Sequence, residues 1–153
     1  MNRSTSHSKP KIEKLIFLRY LAFENKFLLH PIPFAMHIEQ LRDLCLSFPG
    51  TSEGIKYGDQ LCFMVMGKVF CSSNIKQLDK ASFKVSDEIF ETLCEQDGIA
   101  PAPYGGAKFK WVRVDDFDCL SDTEWAHFIQ EAYQLVKVKL PKKLQTSLDD
   151  LSH

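Results

Sequence analysis

The chain has 153 residues, 44% of them hydrophobic and 25% charged, with a formal net charge of −1. That length excludes two comfortable domains and allows one with a real core, of ordinary soluble globular composition. Residues 1–35 carry six Lys/Arg and two acids, leaving 13 basic and 18 acidic residues for the rest, so the body has no global attraction for a polyanion and would need a local patch to bind one.

The first 35 residues differ in character from the remainder. "MNRSTSHSKPK" is polar and basic, and "LIFLRYLAF" is apolar but interrupted by Arg19. The run is far shorter than the ~20 residues that cross a bilayer, and the lack of a small-residue cleavage site argues against a signal peptide. Residues 1–35 are therefore expected to be an over-extended start or a loosely ordered arm, and no membrane partner is expected. From Met36 the pattern is that of a domain. "HIEQLRDLCLSF" places Ile38, Leu41, Leu44, Cys45 and Phe48 at helical spacing, and Pro49-Gly50 stops it. "TSEGIKYGD" reads as a loop. "LCFMVM" and "VFCSSNI" flank Gly67-Lys68, a Gly-X hairpin signal of type II′. "ASFKV" alternates as a third strand. Ser86 is the expected N-cap of a second helix, with Asp87 and Glu88 in its first turn.

"APAPYGGAKFKWVRV" follows, read as a Pro-Gly turn into a fourth strand over 107–114. That strand sets Phe109, Trp111 and Arg113 on one face, with Phe109 and Trp111 packing on the helices. "SDTEWAHFIQEAYQLVKVKL" is the best helix, opened by the Ser121/Glu124 capping-box spacing and ended by Pro141. Residues 147–153 are expected to be a polar tail. The order α-β-β-β-α-β-α predicts an α+β fold, a two-layer sandwich with a mainly antiparallel sheet of four or more strands and helices on one face.

"SFPGTSE", "FMVMGKVFC", "ASFKV", "PAPYGGAKFKWVRV" and "EWAHFIQEAYQLVKVKLPKKLQ" together resemble the MmcQ/YjbR family, small bacterial proteins of the double-wing type, similar to the frataxin-like fold. The resemblance covers residues 36 to 146. It implies a role in DNA binding and no metal or cofactor, although fold alone does not determine function.

Two groups of residues are candidate contact surfaces. Lys108, Lys110, Trp111 and Arg113, joined by Lys142 and Lys143 at the end of the last helix, form the nucleic-acid candidate: cations for phosphate and an aromatic ring for stacking. If DNA is the partner, these cations should converge on one face. The alternative is a protein- or small-ligand-binding module in which Tyr57-Gly58 and "PAPYGG", with Tyr104, shape a pocket; there the cations scatter. No catalytic or metal-binding motif is present, and a non-enzymatic protein is expected. "YGGAKFK" is read as preceding a strand, with no helix N-terminus to hold phosphate. Asp115, Asp116 and Asp118 lack the pattern of a calcium loop. Five single cysteines with no CxxC pair point to free, buried thiols in a reducing cytoplasm. The expected state is a monomer or small homo-oligomer.

Overall fold

Alternation along 77–84 directs Ala81 and Phe83 inward and leaves Lys80, Ser82 and Lys84 on the opposite face. In the computed structural model, which describes residues 36–152, six strands form one antiparallel sheet in the order β1-β2-β3-β4-β6-β5. They are β1 (Thr51–Lys56), β2 (Gln60–Val65), β3 (Lys68–Asn74), β4 (Gln77–Lys84), β5 (Ile99–Pro101) and β6 (Trp111–Val114). The helices are α1 (Ile38–Leu46), α2 (Asp87–Cys94), the single turn α3 (Gly106–Phe109), α4 (Asp122–Lys137) and α5 (Lys142–Leu151). The expected α+β sandwich is present. The expectation for residues 1–35 lies outside the described residues.

Helix α4 lies across β3 and β4 and closes the core. Its N-terminus carries both halves of the capping box: the Glu124 backbone N–H donates to Ser121 Oγ at 3.2 Å, and the Ser121 N–H donates to Glu124 Oε1 at 2.9 Å. Trp125 is fully buried against Phe83 and Phe117, with ring centroids 5.6 and 5.2 Å away, and its Nε1–H donates to the Phe117 carbonyl at 2.8 Å. Tyr133 stacks on Phe48 and its hydroxyl donates to the Pro49 carbonyl at 2.8 Å. These aromatic contacts lock α1 and α4 together over the sheet.

Several local expectations are corrected. "TSEGIK" is a strand, not a loop: it pairs with β2 along its whole length. As an edge strand of mixed burial it shows no clean alternation. The β2–β3 turn is Met66-Gly67, both at positive φ (47° and 85°), as a type I′ turn requires, rather than Gly67-Lys68. Ser86 occupies the N-cap of α2 as expected, but its hydroxyl makes no cap hydrogen bond. Residues 147–151 of the expected polar tail belong instead to α5, which buries Leu148 completely. A Cβ on Gly50 would lie 2.2 Å from Leu148 Cδ2, so the leucine fills the space above that glycine.

The strand expected over 107–114 begins only at Trp111. The two glycines bend the chain instead into α3. Gly106 N–H donates to the Ala102 carbonyl, Phe109 N–H donates to that of Gly105, and Lys110 reverses direction at φ +56°. Gly106 is required there, because a Cβ would come within 2.9 Å of the Trp111 carbonyl oxygen. Val112 and Val114 are the core residues of β6. Phe109 and Trp111 therefore do not anchor the helices: Phe109 is 56% exposed, and Trp111 sits half-buried on the face away from them.

Candidate functional site

The strand registers align one row of residues across the face that the helices leave uncovered. Gly54 pairs with Cys62, Cys62 with Ser72, Ser72 with Ser82, Ser82 with Arg113, and Arg113 with Ala100. Small side chains in the centre of that row make the open face concave. Two loops wall the hollow: the β1–β2 turn at Tyr57–Asp59, and the β5–α3 segment at Ala102–Phe109. The result is a cleft of about 710 Å³, within the range of small-molecule sites, roughly 300–1,000 Å³. Gln60, Ser72, Asn74 and Ser82 form its floor; Tyr57, Tyr104, Phe109 and Trp111 supply its aromatic surface.

The two rims share one local structure. Tyr57-Gly58 and Tyr104-Gly105 are both consecutive left-handed pairs, with φ of 52° and 82° in the first and 61° and 96° in the second. A tyrosine in this region is strained, because its Cβ crowds the backbone. Neither ring repays that strain by burial: Tyr57 is 83% and Tyr104 100% exposed. Strain held at exposed rings on the two sides of one cleft is the pattern of a functional site rather than of a folding anchor.

A smaller recess of about 190 Å³ adjoins the cleft and shares Gln60, Ser72, Asn74, Ser82 and Pro103 with it. Lys80 and Arg113 line this recess. Arg113 Nε donates to Asp115 Oδ1 at 2.8 Å, which fixes the guanidinium plane. The cleft also contains Asp59, paired with Lys76 at 2.9 Å and next in the chain to Gln60, which lines cleft and recess alike.

The sequence-derived candidates thus fall into separate places. Tyr57, Tyr104 and Trp111 line the same cleft, and Arg113 lines the adjoining recess. Lys108 lies over the Phe109 ring at 5.1 Å, and Lys110 over the Phe90 ring at 4.6 Å. Lys142 and Lys143 open α5 in the helical layer, so the sheet separates them from Arg113 on the open face. Sequence reasoning missed Phe109, Asp59 and the polar floor; the repeated Tyr-Gly dipeptide was the signal that could have paired the two rims. It also missed Lys84, whose ammonium donates to the Phe109 carbonyl. Burial, then Lys139, then to a smaller extent Lys110, holds that amine below its ordinary value, with Asp87 acting in the opposite sense.

The remaining reactive groups are quiet. All five cysteines are free thiols. Burial pushes the thiols of Cys45, Cys62, Cys94 and Cys119 up, away from the thiolate form. Asp116 accepts from the Asp118 N–H and Asp115 accepts from Arg113, so two carboxylates of that acidic loop serve its own turn. Among the described residues no group of three or more His, Cys, Asp or Glu could hold a metal ion, and no helix is long and apolar enough to cross a membrane.

Comparison with known proteins identifies the fold independently. The YjbR family model matches residues 46–135, which run from the end of α1 through most of α4. The chain belongs to the YjbR family. It is also similar to Deinococcus radiodurans protein DR2400, whose crystal structure carries the DUF419 domain. The two share 25% identity and superpose with a TM-score of 0.65, over 75% of this chain and 89% of that one. No curated protein matches the chain significantly. The cleft-lining residues from Tyr57 to Trp111 all fall inside the segment that the family model matches.

Proposed function

We propose that this YjbR-family chain is a non-enzymatic binding protein whose site is the open-face cleft between the two Tyr-Gly turns, and that its ligand is a small ring-bearing molecule. The observation that carries the reading is the pair of exposed tyrosines, Tyr57 and Tyr104, held in left-handed conformations on the two rims. Exposed aromatic faces with neutral hydroxyl and amide groups beneath them suit a ligand that stacks and hydrogen-bonds at once. Of the cations expected to meet a polyanion, Arg113 lines the recess whereas Lys142 and Lys143 open α5 in the helical layer, which favours a pocket over a long polyanion. A cytoplasmic monomer or small homo-oligomer with free thiols completes this reading.

Trp111 lines the cleft and reports on its occupancy. The test is an isothermal titration of the full chain with indole, glucose and adenosine as ring-bearing probes, followed also by Trp111 fluorescence for glucose and adenosine, since indole emits in the same range as tryptophan. At least one probe is expected to bind saturably, and Tyr57→Ala/Tyr104→Ala is expected to weaken that binding tenfold or more. Saturable binding that this double variant leaves unchanged, or no response to any probe, would overturn the reading.

A second reading, DNA binding, is favoured by one observation besides the family resemblance: Lys84, Lys110 and Lys139 lie close enough together that two of them depress the third. It requires affinity for labelled DNA that falls steeply with salt and weakens in Lys108→Glu/Lys110→Glu. Absence of binding at ~50 mM salt, where phosphate contacts hold well, excludes it.

A further inference from the structure

Building on the cleft reading, we infer that cleft and recess are one site for a nucleoside monophosphate, with the base at the tyrosine rims and the phosphate at Arg113 and Lys80. Four features lead there.

The cleft is chemically asymmetric. Its outer part is aromatic, with Tyr57, Tyr104, Phe109 and Trp111, and planar heteroaromatic rings stack on such surfaces whatever their base identity. Its floor offers neutral donors and acceptors. Asn74 Oδ1 already accepts from the Lys76 N–H at 2.8 Å, which leaves its Nδ2 as a donor toward a ring nitrogen, a carbonyl or a sugar hydroxyl. Ser72 and Ser82 add two hydroxyls, and both belong to cleft and recess alike, where a sugar would bridge the two parts.

Charge then orients the ligand. Arg113 and Lys80 attract a phosphate to the recess, while Asp59, the acidic residue of the cleft, is already neutralised by Lys76. The bond from Arg113 Nε to Asp115 holds the guanidinium in one orientation, and no other hydrogen bond within the described residues engages its terminal amines. Arginine held in this way presents a fork that fits two phosphate oxygens.

Size and total charge set the length of the ligand. About 710 Å³ plus a 190 Å³ recess accommodates one nucleotide. A strand of many phosphates would instead meet a body in which 18 acidic residues outnumber 13 basic ones beyond residue 35. The occupant is therefore the free mononucleotide and not a nucleic-acid strand.

Isothermal titration and Trp111 fluorescence of the full chain, with AMP, GMP, CMP, UMP, their parent nucleosides and an eight-residue deoxyoligonucleotide, test the inference. At least one monophosphate is expected to bind tenfold or more tightly than its nucleoside. Arg113→Gln is expected to erase that difference without weakening the nucleoside, and Arg113→Lys to restore part of it; denaturation curves check that both variants fold. Equal affinity for nucleoside and monophosphate, lost in Tyr57→Ala/Tyr104→Ala, overturns the phosphate assignment and leaves the cleft reading standing. Binding of indole or glucose but of no nucleoside overturns the base assignment. An oligonucleotide that binds tenfold more tightly than every monophosphate overturns the choice of a free nucleotide in favour of a strand. Failure of every probe overturns both this inference and the cleft reading beneath it.

Discussion

If Tyr104 is kept for its ring and not for the fold, replacing it should leave the protein as stable or more so. Its side chain is fully exposed and its φ is +61°, so truncation gives up no buried area. A left-handed conformation costs an L-residue roughly 1–2 kcal/mol. In Tyr104→Gly that cost disappears, while the greater freedom of glycine in the unfolded chain takes back roughly 0.5–1 kcal/mol. The expected net lies between no change and a stabilisation of roughly 1.5 kcal/mol. Tyr104→Ala retains the Cβ and therefore the strain, so it should stay within about 0.5 kcal/mol of the parent. Urea denaturation of the three proteins measures this directly, with the midpoint of the glycine variant level or rising at constant slope. The same variants should lose binding in the fluorescence titration, separating stability from function. A glycine variant less stable than the parent, or an alanine variant destabilised by more than about 1 kcal/mol, would show that the ring is packed and the turn structural.

Other expectations follow from single contacts. Leu148→Ala removes the one fully buried side chain of α5 and should cost about 2–5 kcal/mol in urea denaturation; a loss below ~1 kcal/mol would mean that α5 is not part of the folding unit. Trp125→Phe leaves the buried Phe117 carbonyl without its indole donor and should destabilise by roughly 1–3 kcal/mol or more, the ring volume adding to the hydrogen-bond loss. The Arg42 guanidinium bonds both oxygens of Glu53, at 3.0 and 2.7 Å from Nε, and this hydrogen bonding holds the Glu53 carboxyl below its ordinary value. A lowered folded value stabilises the protein above the unfolded value of about 4.3. That stabilisation is lost as pH falls through the folded value. The stability difference between the parent and Arg42→Gln should therefore be present at neutral pH and shrink as pH falls below the ordinary carboxylate range; a difference that stays constant across that titration would assign the effect to packing.

Much of the fold was legible because it depends on short-range patterns. The spacing of Trp125, Phe128, Ile129 and Ala132 behind Ser121 specifies α4, cap included, since a helix's period and its first hydrogen bonds lie within a few residues. Alternation over Ala81–Val85 likewise specifies which side of β4 is buried. Strand β1 was not legible, because an edge strand with neither face fully covered has no burial pattern to leave in its sequence. Nor was α5, whose one fully buried residue, Leu148, meets a glycine near the opposite end of the domain.

The site divides along the same line. The sequence by itself determined that Tyr57-Gly58 lies in a loop, that the Pro-Gly segment before Trp111 turns, and that Trp111 and Arg113 share a strand face, because dihedral preferences and two-residue alternation are local properties. Only the tertiary structure decided that the two tyrosines wall one cleft, that Arg113 joins it while Lys142 and Lys143 lie beyond the sheet, and that Phe109 is exposed beside it. Those outcomes depend on how six strands align, and in particular on the register that sets Cys62, Ser72, Ser82 and Arg113 in one row. A slip of one residue in any of those pairings would turn that strand's members of the row into the core.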